Sequence, residues 1–132
     1  MTNQHFMQIA HVVASASYCN RAQVGSIIVK DGNIIAIGYN GTPSGWPNIC
    51  EDDSGKTEEW VLHAESNAIA KCARAGYSSN GASIYVTHSP CVECAKLIVQ
   101  AGITKVYYGQ IYRCTKGLGI LILHGIDCEQ VV

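Results

Sequence analysis

The tightest constraint on how this chain can fold comes from two short stretches, His63-Ala64-Glu65 and Pro90-Cys91-Val92-Glu93-Cys94. Cys-x-x-Cys brings two thiols close enough to hold one metal ion. This holds above all at a helix start, where free backbone N–H groups and the macrodipole favour the thiolate. A neutral imidazole from His63 supplies a third ligand, and a Cys2His set suits zinc. For the three to meet, the scaffold must carry two helix starts, far apart in sequence, to one point. Three protein ligands leave the fourth tetrahedral position open, which marks a catalytic rather than a structural site. Glu65 lies two residues past His63, does not share its helix face, and is poorly placed as a fourth ligand. It is placed instead to take a proton from a zinc-bound water and pass it to a departing nitrogen. The chemistry expected is attack of the resulting zinc-bound hydroxide on a carbon that bears an exocyclic amine.

The remaining sequence reads as the scaffold for that convergence. Phe6, Ile9, Ala10, Val13 and Ala14 recur at helical spacing behind Thr2, a plausible N-cap. Val24 to Val29 and Ile34 to Tyr39 flank Asp31-Gly32-Asn33, a hairpin signal. From Asn40 to about Lys56 the chain is rich in Gly, Pro, Ser and Asp without period, a loop long enough to suggest function. Helices are predicted over 58–75, 91–101 and 118–124, alternating with strands at 83–87, 105–109 and 128–132. Strands alternating with helices after a hairpin predict a parallel segment in a mixed sheet. The fold class expected is therefore a three-layer α/β/α sandwich with one mixed five-stranded sheet, formed by a single domain over 1–132.

Composition narrows the partners. The 132 residues carry 9 Lys+Arg against 10 Asp+Glu, a formal net charge of -1, which argues against a dedicated nucleic-acid binder. A small anionic substrate needs only one or two local cations. The opening residues lack a basic, apolar leader, and no apolar run approaches the length of a membrane span. Seven cysteines, an odd count, do not resemble a secreted disulfide framework. A cytoplasmic protein with reduced thiols is expected, with Cys72 and Cys128 as small buried hydrophobes. His5, His11 and His124 read as surface or helix-face residues, and His88 matches no ligand position. Glu51-Asp52-Asp53 reads as a solvated loop.

His-x-Glu followed by Pro-Cys-x-x-Cys is the signature of zinc nucleobase deaminases. The chain resembles the deoxycytidylate (dCMP) deaminase family within the cytidine deaminase-like superfamily. The stretches that carry the resemblance are Val24-Gly25, Gly38 to Pro43, His63 to Ile69 and Ser89 to Lys96, followed by Ala101-Gly102-Ile103 and the Tyr112 loop. The resemblance implies one zinc per chain on His63, Cys91 and Cys94, with Glu65 shuttling protons. It implies Asn40 at the nucleotide sugar, and the backbone of Ala64 and Ser89 at the pyrimidine edge and leaving amine. Tyr112 and Arg113 would face the sugar and phosphate, with Arg21 a second candidate cation. A guanidinium suits that task because it grips phosphate oxygens bidentately.

The resemblance further implies a homohexamer activated by dCTP and inhibited by dTTP with Mg. Gly38, Tyr39, Asn40 and Gly41 would lie at the regulatory site. The activity implied is hydrolysis of dCMP to dUMP and ammonia in the cytoplasm, or in a host cytoplasm for a phage enzyme. Some viral members carry an accessory zinc built on an insertion before the His-Ala-Glu helix. This chain is short there and keeps only Cys19 and Cys50, so one zinc is expected. Cys114 stands where the family commonly has Asp. Two other readings share the metal motif: a tRNA adenosine or other nucleobase deaminase, and a non-catalytic zinc-binding module. Cys-x-x-Cys alone also serves redox chemistry or half of a structural zinc site, but the separate His-Ala-Glu stretch weighs against both.

Overall fold

The computed structural model describes residues 1–132. Helix α1 (Asn3–Ala14) leads into the hairpin β1 (Gly25–Lys30) and β2 (Asn33–Tyr39). A long connection follows, then α2 (Ala64–Arg74), β3 (Ser83–His88), α3 (Val92–Gln100), β4 (Lys105–Gln110), α4 (Lys116–Leu123) and β5 (Asp127–Gln130). The five strands form one sheet in the order β2-β1-β3-β4-β5. β1 is antiparallel to both β2 and β3, whereas β3-β4 and β4-β5 are parallel. The mixed sheet and its three layers are those the alternation of elements predicts.

Local chemistry accounts for the elements. Thr2 caps α1 in a capping box, with His5 as the reciprocal partner. The hairpin turns on Asp31 and Gly32, both at positive φ (52° and 78°), the conformation a two-residue turn of matching twist requires. Gly25 lies against the α1 backbone at Ala10 and Ala14, and a methyl group there would collide with it. On one face of the sheet α1 packs Phe6, Met7, Ala10 and Val13 onto Ile27, Val29 and Tyr85. Tyr85 stacks on Tyr107 with ring centroids 4.5 Å apart. On the other face α2, α3 and α4 contribute Ala68, Cys72, Ala95, Ile98 and Leu121 to a core with Ile28, Ile84, Val86 and Val106.

Two expectations are corrected. The second helix starts at Ala64 rather than near Glu58. Residues 58–61 form a turn closed by Val61 N–H on the Glu58 carbonyl (3.2 Å), and Leu62 then exchanges both backbone hydrogen bonds with Gly41 (2.8 and 3.1 Å). The indole of Trp60 also sits against Trp46 across the loop, with ring centroids 5.9 Å apart. The second correction concerns the thiols: Cys19 and Cys50 are joined by a disulfide with Cα atoms 5.3 Å apart. Both are buried, and the Glu51 carboxylate next to them accepts from the backbone N–H of Asn20 and Arg21. The bridge ties the segment after α1 to the long loop. The other five cysteines are free. No helix is long and apolar enough to cross a membrane.

Candidate active site

The parallel strands β3 and β4 end side by side, His88 opposite Gln110, and the chain leaves their carboxyl ends into the two loops that build the site. Ligands of open α/β sheets bind in such a crevice. Immediately past β3, Ser89-Pro90 leads to Cys91, which is the N-cap of α3 with extended backbone (φ -73°, ψ 174°). His63 occupies the same position at the start of α2 (φ -75°, ψ 157°). Neither residue is a conventional side-chain cap. First-turn N–H groups turn instead to the cluster, Ser66 N–H to the Cys94 sulfur and Cys94 N–H to the Cys91 sulfur. The usual capping residues are absent because both cap positions carry would-be metal ligands.

The three ligands converge as the spacing predicts. His63 Nδ1 lies 3.5 Å from Cys91 Sγ and 3.3 Å from Cys94 Sγ. Tetrahedral zinc with Zn–N near 2.05 Å and Zn–S near 2.3 Å would separate such atoms by about 3.5 Å. The donor set therefore fits one zinc ion. Cys94, on the first turn of α3, is buried, Cys91 half-buried, and His63 open to the cavity side. The Cys91 thiol is brought down to about 3, first by its hydrogen bond with Cys94 and then by His63. Cys94 is pushed up, because the hydrogen bond with Cys91 and burial keep its proton in place. The bond with Cys91 also raises His63 against the opposing effect of burial. A ready thiolate beside the imidazole is a site prepared for a cation.

Glu65 is only 5 % exposed, on the first turn of α2. Burial pushes its carboxyl up to about 7, against the pull of a backbone hydrogen bond and of the nearby imidazole. A carboxyl tuned to that range exchanges protons near neutral pH in both directions. The cluster opens into a cavity of about 520 Å³, the scale of a small-molecule site. Asn40, His63, Ala64, Glu65, Ser89, Cys91, Tyr112 and Arg113 all line it, and so does Arg21. A second hollow of about 530 Å³, lined among others by Tyr18, Asn48 and Asp52, contains none of the metal-ligand residues.

Hydrogen bonds show how each wall is held. The amide of Asn40 accepts from Val24 N–H (2.9 Å) and donates to the Ala22 carbonyl (2.8 Å), so it clamps the segment that carries Arg21. Ser89 donates its N–H to the Gln110 carbonyl, and its hydroxyl accepts from Tyr112 N–H at 2.6 Å. The loop that offers Tyr112 and Arg113 is thereby tied to the turn that offers Cys91. The Arg113 guanidinium lies 5.6 Å over the Tyr112 ring and, like Arg21, has no carboxylate partner. The buried Ser26 hydroxyl donates to the Ala64 carbonyl at 2.8 Å and anchors the start of α2.

Gly38, Tyr39 and Gly41 fall outside the cavity lining. Gly38 is pressed against the α2 backbone at Ala64 and Ala68, Gly41 lies against the Tyr18 ring, and the Tyr39 carbonyl accepts from Asn67 at 3.0 Å. Gly38 and Tyr39 thus take part in the packing of α2 onto β2, and Gly41 in packing on Tyr18. His88, which matched no ligand position in the sequence, also lines the cavity.

His63, Cys91 and Cys94 converging at two helix starts beside the buried Glu65 carboxyl form the arrangement expected of a zinc-dependent deaminase site. Residues 1–110 match the model of the cytidine and deoxycytidylate deaminase zinc-binding region, and the chain belongs to that family. A solved structure of the dCMP deaminase of cyanophage S-TIM5, in complex with dCMP and dUMP, superposes with a TM-score of 0.95 at 44 % identity, covering 99 % of both chains. The deoxycytidylate deaminase of Enterobacteria phage T4 is 36 % identical over 147 aligned positions, covering 80 % of this chain and 76 % of its own. The ComE operon protein 2 of Bacillus subtilis is 43 % identical over 114 residues, 84 % of this chain. The match spans only 60 % of the length of that bacterial relative.

Proposed function

We propose that this chain hydrolyses dCMP to dUMP and ammonia, with one zinc ion held by His63, Cys91 and Cys94. The observation that carries the reading is the buried Glu65 carboxyl beside the three-ligand cluster, at the floor of a cavity of nucleotide size. Support for this substrate comes from the dCMP and dUMP complex of the cyanophage enzyme, which overlays this chain along nearly its whole length. Bound zinc supplies Lewis-acid activation of a water molecule.

The chain's own residues do the rest. Glu65 removes the proton from the attacking water and returns it to the nitrogen that leaves, and its affinity for protons near pH 7 suits both steps. The Ala64 N–H, unpaired at the first position of α2, reads the pyrimidine edge. The Ser89 N–H is committed to Gln110, so its carbonyl is the group that faces the leaving amine. Asn40 and Tyr112 flank the sugar, and Arg113 grips the phosphate with Arg21 as second cation. The working form is a cytoplasmic homohexamer, activated by dCTP and inhibited by dTTP with Mg, with the Gly38 to Gly41 stretch at the effector site.

Replacing Glu65 by Gln tests the assignment. The variant should keep a full equivalent of zinc by metal analysis and lose about 100-fold or more in dCMP turnover. Near-native turnover would remove Glu65 from the mechanism. Sedimentation and rate measurements with and without dCTP and dTTP test the assembly and its regulation. A monomer indifferent to both nucleotides would refute that part.

A further inference from the structure

His88 Nδ1 is the one buried side-chain nitrogen or oxygen in the chain without a hydrogen-bond partner. A desolvated polar atom left unpaired is costly, and native structures rarely keep one without a use. The position of His88 supplies the use. It is the last residue of β3, one step before Ser89 and three before the ligand Cys91, and its side chain lines the substrate cavity. By strand alternation it shares the sheet face of Ile84 and Val86, the face covered by the helices that carry the metal ligands.

We infer that His88 is a substrate-binding residue, whose ring nitrogen is satisfied only when a nucleotide fills the cavity. The inference rests on the deaminase reading above. Two features place the contact on the nucleoside part, base or sugar, rather than on the phosphate. His88 is half-buried and Nδ1 fully so, whereas Tyr112 and Arg113 stand exposed on the loop after β4. The bound group is a polar atom of the pyrimidine or sugar, reached directly or through one ordered water.

A purely structural histidine and a substrate-binding one respond oppositely to replacement. His88→Leu removes the orphaned nitrogen, so the ligand-free protein should melt at the same temperature as wild type or higher, with zinc content unchanged. The same variant should raise KM roughly tenfold for dCMP and by the same factor for deoxycytidine, with kcat little altered. That factor is one hydrogen bond of about 1.4 kcal/mol made equally in ground and transition states. His88→Asn, which can place an amide atom near the Nδ1 position, should recover most of the loss. Calorimetric titration of dCMP into zinc-loaded Glu65→Gln, with and without His88→Leu, reads the same factor without turnover. Unchanged KM in an active His88→Leu enzyme would overturn the inference, as would a loss of stability that accounts for the activity change. A loss confined to dCMP would move His88 to the phosphate and also overturn it. A wild-type enzyme that ignores both substrates would instead refute the deaminase reading, so the two failures are told apart.

Discussion

Burial of Glu65 sets up a trade between stability and chemistry that can be measured in the zinc-free protein. The carboxyl rises from the ordinary value of 4.5 to about 7 because the fold strips its water away. The fold thus favours the neutral acid. The stability linked to this group is complete below pH 4.5 and is lost as the pH climbs through about 7. At about 1.36 kcal/mol per pH unit, the full loss is about 3 kcal/mol. Glu65→Gln keeps the shape and removes the ionisation. Zinc-stripped Glu65→Gln should therefore be more stable than zinc-stripped wild type by up to about 3 kcal/mol at pH 8.5, and by less than about 1 kcal/mol at pH 5. Urea unfolding followed by the fluorescence of Trp46 and Trp60 gives both numbers. For a domain of this size the difference at pH 8.5 is a midpoint shift of roughly 1–2 M. Equal stabilities at both pH values would show that the carboxyl is not held desolvated, and the argument for its proton affinity would fall.

Three other replacements probe how the site is held. Gly117 at the start of α4 leaves no room for a side chain: a Cβ there would collide with the Pro90 carbonyl and come within 2.9 Å of the Cys91 carbonyl. Gly117→Ala should cost about 1–3 kcal/mol and weaken zinc binding by displacing the Cys91 turn, and wild-type zinc affinity by competition titration would contradict this. Cys91→Ala should lower zinc content well below one equivalent after dialysis, and retention of a full equivalent would remove Cys91 from the ligand set. Ser26→Ala leaves the Ala64 carbonyl without its buried partner and should destabilise by about 1–2 kcal/mol in urea unfolding; no change would show that the start of α2 is held by packing alone.

Much of this site was legible because its chemistry is written in short segments with their own local physics. Cys-x-x-Cys on one helix start and His-x-Glu on another announce the ligand set, and the hairpin and strand-helix alternation announce the sheet that brings them together. What escaped depends on contacts between distant segments. The start of α2 was set too early, because residues 58–61 close a turn and Leu62 pairs with the distant Gly41. The Cys19–Cys50 bridge joins residues 31 apart, and no local signal separates such a pair from two free buried thiols. The packing of Gly38, Tyr39 and Gly41 beside α2 and Tyr18 likewise rests on contacts between distant segments. Asn40 does reach the cavity, and its amide shapes the wall there through Ala22 and Val24. His88 stood near the site in the sequence but matched no ligand position, and only the junction of β3 with the cavity reveals its unpaired nitrogen.

The central claim is tested most directly by ammonia release from the purified, zinc-loaded protein. dCMP, CMP, deoxycytidine and an adenosine-containing tRNA anticodon stem would be supplied separately. The account predicts release from dCMP far above the other three, with dUMP as the matching product and loss of activity on removal of zinc. Release from the tRNA stem with none from dCMP would keep the zinc site and discard the substrate, and no release from any of the four would contradict the account outright.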